Sequence, residues 1–489
     1  MKLKTLSHSL PQRGRVIRTR DARWLALIVL CAGFLMIILD QTIVNVALPS
    51  IQRDLGFSQS GLAWVVNAYL IAYGGLLLLA GRLGDLIGRK RIFLIGLAMF
   101  TAASLLCGLS ISQPMLIGAR FAQGVGGAVS TAVILAMVVT MFPQPEERAR
   151  AIGVFSFVAA AGGAIGLLAG GLITQAVSWH WIFFVNLPIG VATALLAARL
   201  LDSDRGIGLG EGADALGAFL VTAALMLGVY TIVESARYGW GSSHTLGFGA
   251  VAVVLSIGFF VRQATARNPL LPLRLLVSRN LAGANLIQAA MVAGMFGFFF
   301  LGSLDLERVL GYGSLAIGLA FLPVALGIGI LSLGFSARLI MRFGARSVLL
   351  AGLVLVAVGL LLLTRTPAHS EYLRDLLLPT ALLGVGAGLS FPSLAMLAMA
   401  GATPRDSGLA SGLLNTTAQV GGALGLAVLA TLSTNQTGQL LAEGQSTTAA
   451  LSGGYHLAWG VGATIVIGAL VLAVTVLKSE APVEVEAAA

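Results

Sequence analysis

Two ionisable side chains lie inside apolar stretches of this sequence. Asp40 is deep in the first long apolar run, and Arg120 lies in the segment 115–124, MLIGARFAQG. If these stretches cross a membrane, each charge costs several kcal/mol unless it is neutralised, paired or hydrated. We therefore expect Asp40 to exchange a proton, and Arg120 to need a counter-charge or carbonyl partners. The structural alternative is an Asp that only hydrogen-bonds to a neighbouring helix.

The two charges could also act together. If their helices are adjacent, Asp40 could interact with Arg120 directly or through water, and protonation of Asp40 would release Arg120. A proton would then be coupled to a rearrangement of helices.

The composition indicates the class of protein to which these residues belong. Of 489 residues, 57% are hydrophobic and 10% are charged, which is typical of a polytopic membrane protein and excludes ordinary soluble enzymes, nucleic-acid binders and disordered chains. The net charge of +10 is explained below by topology. Breaks at charged, Pro-containing and turn-rich positions predict fourteen apolar spans, near 25–47, 61–80, 92–110, 114–141, 151–174, 181–199, 214–234, 246–264, 280–303, 313–335, 347–364, 374–399, 409–433 and 454–477.

The Lys and Arg positions support this division. With fourteen spans, nearly all Lys and Arg residues lie in alternate loops on one side of the membrane, the side of the N-terminal arm. Arg120 lies inside a span, and five residues lie on the other side: Arg53, Arg237, Arg308, Arg365 and Arg374. Because cytoplasmic loops of membrane proteins are rich in Lys and Arg, we expect both termini to be cytoplasmic.

An internal repeat predicts two related halves. Arg82-Leu83 with Gly88 and Lys90 has the same spacing as the basic loop at 338–346, and parallel repeats of this kind are typical of alternating-access transporters. Such short basic loops also arise by chance. We predict an all-α fold of two six-helix bundles with two inserted helices. The divisions are 1–23 (basic tail), 24–201 (first bundle), 202–279 (inserted helices), 280–477 (second bundle) and 478–489 (tail).

No motif of metal hydrolysis, serine chemistry or nucleotide binding is found in the sequence, so we expect neither an enzyme nor a metal or cofactor. Cys31 and Cys107 are interpreted as packing thiols. Glycines spaced by four, as in Gly166/Gly170, predict close helix crossings; the other pairs are Gly384/Gly388 and Gly421/Gly425.

Four segments together resemble the major facilitator superfamily, and in particular its fourteen-span drug:proton antiporter branch, the EmrB/QacA-like exporters. They are 39–51 (LDQTIVNVALPSI), 81–90 (GRLGDLIGRK), 115–124 and 179–190 (WHWIFFVNLPIG). The resemblance covers nearly the whole chain. It implies a role in proton coupling for Asp40, and a loop latch between the halves formed by Gly81, Arg82, Asp85, Gly88, Arg89 and Lys90. A basic turn that only fixes topology is the alternative.

The sequence departs from the family pattern in three places. The fifth-span antiporter motif keeps Gly163, Gly166, Gly170 and Gly171 but has Leu167 where the family has Pro. In the second loop, Met341 stands where the first loop has Asp85, which predicts an asymmetric latch.

The third departure adds Asp305 and Glu307 where relatives usually have an aromatic residue and an amide. We expect these acids either to pair with Arg308 at the surface or to form a cation site at the exit, and Glu234 poses the same choice.

The resemblance implies a proton-coupled antiporter that exports amphiphilic drugs or antibiotics across the bacterial cytoplasmic membrane. Its partners would be a lipophilic small molecule, protons and the lipid bilayer, with no nucleic acid, and we expect a monomer. A dedicated exporter of one endogenous metabolite is the first alternative; a transport-dead receptor or a polytopic membrane enzyme is a remote one. Predicted cavity residues, each of which could equally serve in packing, are Asn45, Trp64, Asn67, Tyr73, Gln123, Gln288, Phe296, Asn415 and Gln419.

Overall fold

The computed structural model describes residues 20–204, 206–208, 210, 212–367, 370–400 and 407–477. Most of the predicted basic tail and all of the predicted C-terminal tail lie outside these residues. The described part is almost entirely helical and contains no β-strand, as expected for a chain whose apolar segments must satisfy their backbone groups internally.

The described helices are numbered here in chain order. They are α1 (Arg20–Leu55), α2 (Gln59–Ile87), α3 (Arg89–Gly108), α4 (Gln113–Met141), α5 (Pro145–Ala176), α6 (Trp181–Leu200, broken at Val185), α7 (Ala215–Tyr238), α8 (Ser243–Thr265), α9 (Arg279–Arg308), α10 (Ser314–Ile330, continued through a π-helical turn into Ser336–Phe343), α11 (Ala345–Leu363), α12 (Tyr372–Ala400), α13 (Ser407–Ala442) and α14 (Thr447–Thr475). Each predicted apolar segment overlaps one of them.

Twelve of the described helices are long and apolar enough to cross a membrane. The other two, α5 and α10, contain shorter apolar stretches, Ala161–Ala176 and Ser314–Ile330. A helix of 17 residues rises only about 26 Å, slightly less than the hydrocarbon thickness. The number of fourteen spans therefore stays a prediction.

Helices α1 to α6 pack mainly on one another, and so do α9 to α14. The two sets meet where α2 packs on α13 and α5 packs on α10, while α7 packs on α8 and also touches α2 and α13. The exact division of the chain into bundles stays a prediction.

Glycines set the closest of these crossings. Gly170 lies against Ile43 of α1, Gly384 against the backbone of Val324, and Gly421 against the backbone of Ala289. Any Cβ at these positions would come within 3 Å of the facing helix. The prediction of close crossings from glycines spaced by four is confirmed.

Candidate functional site

Asp40 and Arg120 form a direct ion pair inside the first set of helices. Arg120 Nη1 of α4 lies 2.6 Å from Asp40 Oδ2 of α1, and the two side chains are 1% and 0% exposed. Arg120 also donates to the carbonyl of Val65 at 3.0 Å and to Gln123 Oε1 at 2.6 Å. Its guanidinium carbon lies 4.4 Å from the centre of the Tyr69 ring. The arginine is thus held by one counter-charge and three further electron-rich groups.

The other carboxylate oxygen of Asp40 is held by two amides. Gln123 Nε2 donates to Asp40 Oδ1 at 2.7 Å, and Asn186 Nδ2 of α6 donates to the same atom at 3.0 Å. Both amides also reach Ser104 Oγ of α3, at 2.7 Å and 3.3 Å. The carboxylate is therefore the centre of a network that joins four helices, and both of its oxygens have hydrogen-bond partners.

The basic loop after α2 is bound to the connection between α6 and α7. The carboxylate of Asp204 accepts hydrogen bonds from the backbone N–H groups of Arg89 (2.8 Å) and Lys90 (3.2 Å), so it caps the start of α3. Lys90 Nζ donates to the carbonyls of Ala198 and Leu201 at 2.8 Å and 2.7 Å. These contacts fix the loop to its own half of the molecule.

Further contacts extend this attachment. Asp85 Oδ1 accepts from Arg89 Nη2 at 3.1 Å, while Arg82 Nε donates to the carbonyl of Gly212 at 3.3 Å. The backbone of Asp85 also accepts from the N–H of Ile207 at 3.0 Å. Gly88 has a φ of +112°, a backbone conformation that a side chain would strain.

The connection itself ends in a buried acid, Asp214, at the start of α7. Its carboxylate accepts from Arg262 Nε (2.9 Å), Gln263 Nε2 (2.9 Å) and the N–H of Gly217 (3.0 Å). Burial acts to raise the pKa of Asp214, but these hydrogen bonds and the Arg262 charge outweigh it and hold the pKa below its usual range.

A cavity of about 880 Å³ lies between the two sets of helices. It is at the end of the molecule that carries the basic loop of α2 and the 267–270 connection, which we name the basic end. Its lining includes Gly81, Arg82 and Asp85 from one set, and Met399 and Asn415 from the other. The lining combines apolar helix faces with charged groups near the mouth, which suits an amphiphilic ligand.

The opposite end is closed between the two sets. Arg53 at the end of α1 pairs with Glu307 of α9, and Gln59 Nε2 donates to Ser433 Oγ at 3.0 Å. Gln175 Oε1 accepts from the N–H of Leu315 at 3.1 Å. In the part of the chain that the structure describes, the two sets are thus in contact at this end and are separated by the cavity at the basic end.

Comparisons with known proteins agree with this architecture. Residues 30–426, and in a second match residues 284–489, fit the Major Facilitator Superfamily. The chain belongs to the major facilitator superfamily.

Relatives within the superfamily are close over most of their length. Puromycin resistance protein pur8 of Streptomyces alboniger is 39% identical over 453 residues, covering 92% of this chain and 90% of that protein. Cephamycin export protein CmcT of Amycolatopsis lactamdurans is 38% identical, covering 88% and 89%. Multidrug resistance protein Stp of Mycobacterium tuberculosis (strain CDC 1551 / Oshkosh) is 34% identical, covering 83% and 75%.

A solved structure shows the same fold at low identity. A bacterial homologue of the human lysosomal transporter Spinster, in an inward-facing and unoccupied conformation, matches with a TM-score of 0.66 at 16% identity, covering 93% of this chain and 97% of that chain. The family match and the relatives show that the chain is a multi-pass membrane transporter of this superfamily and not an enzyme.

The antiporter-motif glycines of this superfamily member bring α5 onto both neighbours. A Cβ at Gly166 would collide with Thr42 of α1, and one at Gly171 would come within 2.6 Å of the Ser314 carbonyl of α10. Gly163 faces open space. Leu167, in the position of the family's Pro, is buried, and the carbonyl of Leu167 lies 2.5 Å from where a Cβ of Gly318 would stand.

Most predicted cavity residues lie away from the cavity found. Asn415 alone among them lines it, while Gln123 belongs to the Asp40 network. Two of the other seven form hydrogen bonds, since Asn45 donates to the Gln41 carbonyl and Gln288 to the Leu414 carbonyl. Three pack on other side chains or glycines: Gln419 on Gly74, Phe296 on Gly422 and Tyr73 on Tyr69. Asn67 is fully buried and Trp64 is partly buried.

Sequence reasoning missed three members of the site. The sequence alone assigns no role to Asn186 and Ser104 and predicts Gln123 in the cavity wall, whereas all three contact Asp40 or its amide partners. The available signal was a polar side chain in an apolar run, which Asn186 gives within the 179–190 segment. Sequence contains no information on which helices carry such residues to one point.

Of the three acids noted above, two have arrangements that sequence did not predict. Glu307 pairs with Arg53 of the other set of helices, whereas the two alternatives from sequence are a surface pair with Arg308 and a cation site. Asp305 is 7% exposed and so lies inside the molecule. Glu234 is half-buried near the end of α7. Met341 in the second basic loop is exposed, as Asp85 is in the first, and the asymmetric latch stays a prediction.

Proposed function

We propose that this chain is a proton-coupled antiporter that exports amphiphilic drugs, antibiotics or related toxic compounds across the cytoplasmic membrane by alternating access. The observation that carries the proposal is the buried Asp40–Arg120 pair, in a chain whose relatives are named for antibiotic resistance and export. A buried carboxylate with one cationic partner is suited to bind a proton in one conformation and to release it in another.

The proton would act on the ion pair. A proton on Asp40 Oδ2 removes the charge that holds Arg120 Nη1, and the guanidinium keeps the Val65 carbonyl, Gln123 Oε1 and the Tyr69 ring as partners. The attraction between α1 and α4 falls, which shifts the balance between the two conformations of the transporter. Loss of the proton restores the pair.

The basic end is proposed to face the cytoplasm, because Lys and Arg are concentrated in loops on that side. The cavity of about 880 Å³ then opens to the cytoplasm and has the size of a site for a drug-sized molecule. In this inward-open form the loop residues Asp85, Arg89 and Lys90 bind within their own half. We propose that these residues act as a latch between the halves when the transporter is in the outward-open form.

The test is transport of dyes and drugs into inverted membrane vesicles under an imposed proton gradient. Asp40→Asn should abolish gradient-dependent uptake. Asp54→Asn is the matched control, because Asp54 is on the same helix but bonds to Trp179 Nε1 at 2.8 Å near the opposite end, and it should retain uptake. Unchanged uptake in Asp40→Asn would place the proton site elsewhere or mean that another ion drives transport.

A dedicated exporter of one endogenous metabolite is the second candidate. It is favoured by relatives whose names contain a single antibiotic, puromycin or cephamycin. If the native chain moves no member of a broad panel of compounds, this candidate replaces the first. A gene neighbourhood rich in biosynthetic enzymes would support it, and a nearby transcriptional repressor would support general efflux.

A further inference from the structure

Asp305 is a second buried carboxylate, in the other set of helices. It lies near the end of α9 and is 7% exposed. Among the described residues, no side chain forms an ion pair or a hydrogen bond with its carboxylate. Asp40 has three donors for the same group, so the two acids are in contrasting environments. A carboxylate ion without a partner at such a position is unfavourable by several kcal/mol.

The side chain faces a small cavity inside this set of helices. The cavity has a volume of about 20 Å³ and is lined by aromatic rings from four helices, which are Phe298, Phe321, Tyr372 and Trp459. Trp459 is 2% exposed, and its Nε1–H has no acceptor among the described residues. One acceptor and one free donor thus line a space that suits a single water molecule. A drug-sized cation needs a site of about 300 Å³ or more.

None of the charged and titratable side chains described around Asp305 forms an ion pair or a hydrogen bond with its carboxylate. On α9, Glu307 pairs with Arg53 and Arg308 is exposed. On α12, the Tyr372 hydroxyl donates to the Ala320 carbonyl of α10 at 2.7 Å.

On α14, His456 Nε2 lies 3.2 Å from Thr366 Oγ1. Tyr455 is buried, and it interacts electrostatically with both Asp305 and Arg308 but forms no hydrogen bond with Asp305. The lining contributed by α10 and α11 is apolar, since it consists of Ala320, Phe321 and Leu363. Among the described residues no cation forms an ion pair with the carboxylate, so a proton is the ligand that neutralises it.

We propose that Asp305 is a second proton-binding carboxyl group, which exchanges its proton through the cavity it shares with Trp459. The ligand of this site is the proton, which Asp305 takes up from, and releases to, water that enters the cavity. Use of this proton in transport rests on the proposed antiport, whereas its binding is a property of the site alone.

The position of Asp305 connects this site with the closed end of the molecule. Glu307, two residues further along α9, holds Arg53 of α1, and α1 also carries Asp40. Separation of the two halves at this end would break the Arg53–Glu307 pair and give water access to the end of α9. The proton on Asp305 would then be exchanged when the opposite end opens.

The test is infrared spectroscopy of the full chain in lipid bilayers, recorded as difference spectra between about pH 5 and about pH 9. A protonated carboxyl group has a C=O stretching band that its ionised form lacks. We expect the native chain to show one such band that is lost in Asp305→Asn, retained in Asp40→Asn and shifted in Asp305→Glu. His456→Gln is the control for the nearby imidazole and should retain the band.

Identical difference spectra for the native chain and Asp305→Asn would overturn the proposal. If Asp305→Asn fails to fold, the Asp305→Glu spectrum decides, because an unshifted band cannot come from this residue. None of these spectra requires transport, so failure of the proposed antiport and failure of this site are separate results.

Discussion

The ion pair inside the first set of helices predicts an asymmetry between its two partners. Asp40→Asn leaves the guanidinium of Arg120 buried with the Val65 carbonyl and Gln123 Oε1 but without a counter-charge. Removal of one partner from a buried pair reduces the free energy of unfolding by about 3–5 kcal/mol. Arginine does not release its proton in proteins, so nothing relieves this loss.

Arg120→Gln has a different consequence. The carboxyl group of Asp40 keeps the Gln123 and Asn186 amides and can take up a proton. At about pH 5 we then expect a loss of about 1.5–3 kcal/mol, which is the range for a lost hydrogen bond to a charged group. At about pH 8 the loss should grow toward that of Asp40→Asn, because proton uptake is less favourable.

The assay is reversible denaturant unfolding in detergent micelles, followed by circular dichroism at both pH values. The double variant should be no less stable than Asp40→Asn, which would give a coupling energy of at least about 1 kcal/mol. The reasoning is refuted if the two single variants lose equal stability at about pH 5. Asp54→Asn controls for loss of a carboxylate on α1.

Three further predictions concern other parts of the molecule. Gly166→Val should reduce the free energy of unfolding by about 1–3 kcal/mol, because it overpacks the contact between α1 and α5. Gly163 faces open space, so Gly163→Val is the control, and an equal fall of the thermal midpoint in both variants would contradict the prediction. Arg53→Gln should favour the outward-open form about fivefold, since a pair with an exposed partner contributes up to about 1 kcal/mol. Spin-label distances between the ends of α1 and α9 measure this, and Arg374→Gln at the same end should leave them unchanged. Because the pKa of Asp214 is lowered on folding, its stabilisation is present above about pH 4 and is lost as the pH falls through the lowered pKa; Asp214→Asn should be less stable near neutral pH, and its thermal midpoint should fall less on acidification than that of the native chain.

The sequence was sufficient for the helices and for the two central charges. Apolar segments of membrane length predict helices because no other local structure satisfies the backbone in lipid. Asp40 and Arg120 were recognisable because charge inside such a segment is rare and requires a reason. Both inferences depend on local composition alone.

What sequence did not predict depends on which helices are neighbours. The contacts of Asn186 and Ser104 with the Asp40 network join α6 and α3 to α1. The periodicity of apolar residues along a helix does not determine which helices are in contact. The burial of Asp305 was missed for a related reason. Hydropathy places a helix end only to within a few residues, and that uncertainty spans the difference between an aqueous surface and a packed interior.

Helix α1 connects the Asp40–Arg120 pair with two of the contacts between the two sets of helices. At its centre Asp40 pairs with Arg120. Within the next turn, Thr42 and Ile43 contact the glycines of α5, and α5 packs on α10 of the other set through Gly171. At its end Arg53 holds Glu307 of α9. A displacement of α1 that follows protonation of Asp40 must therefore change the α5 crossing and the closed end together, since close-packed helices rearrange between discrete arrangements and do not deform gradually. Proton binding at one buried carboxylate can in this way bias the opening of an end that lies more than three helical turns away.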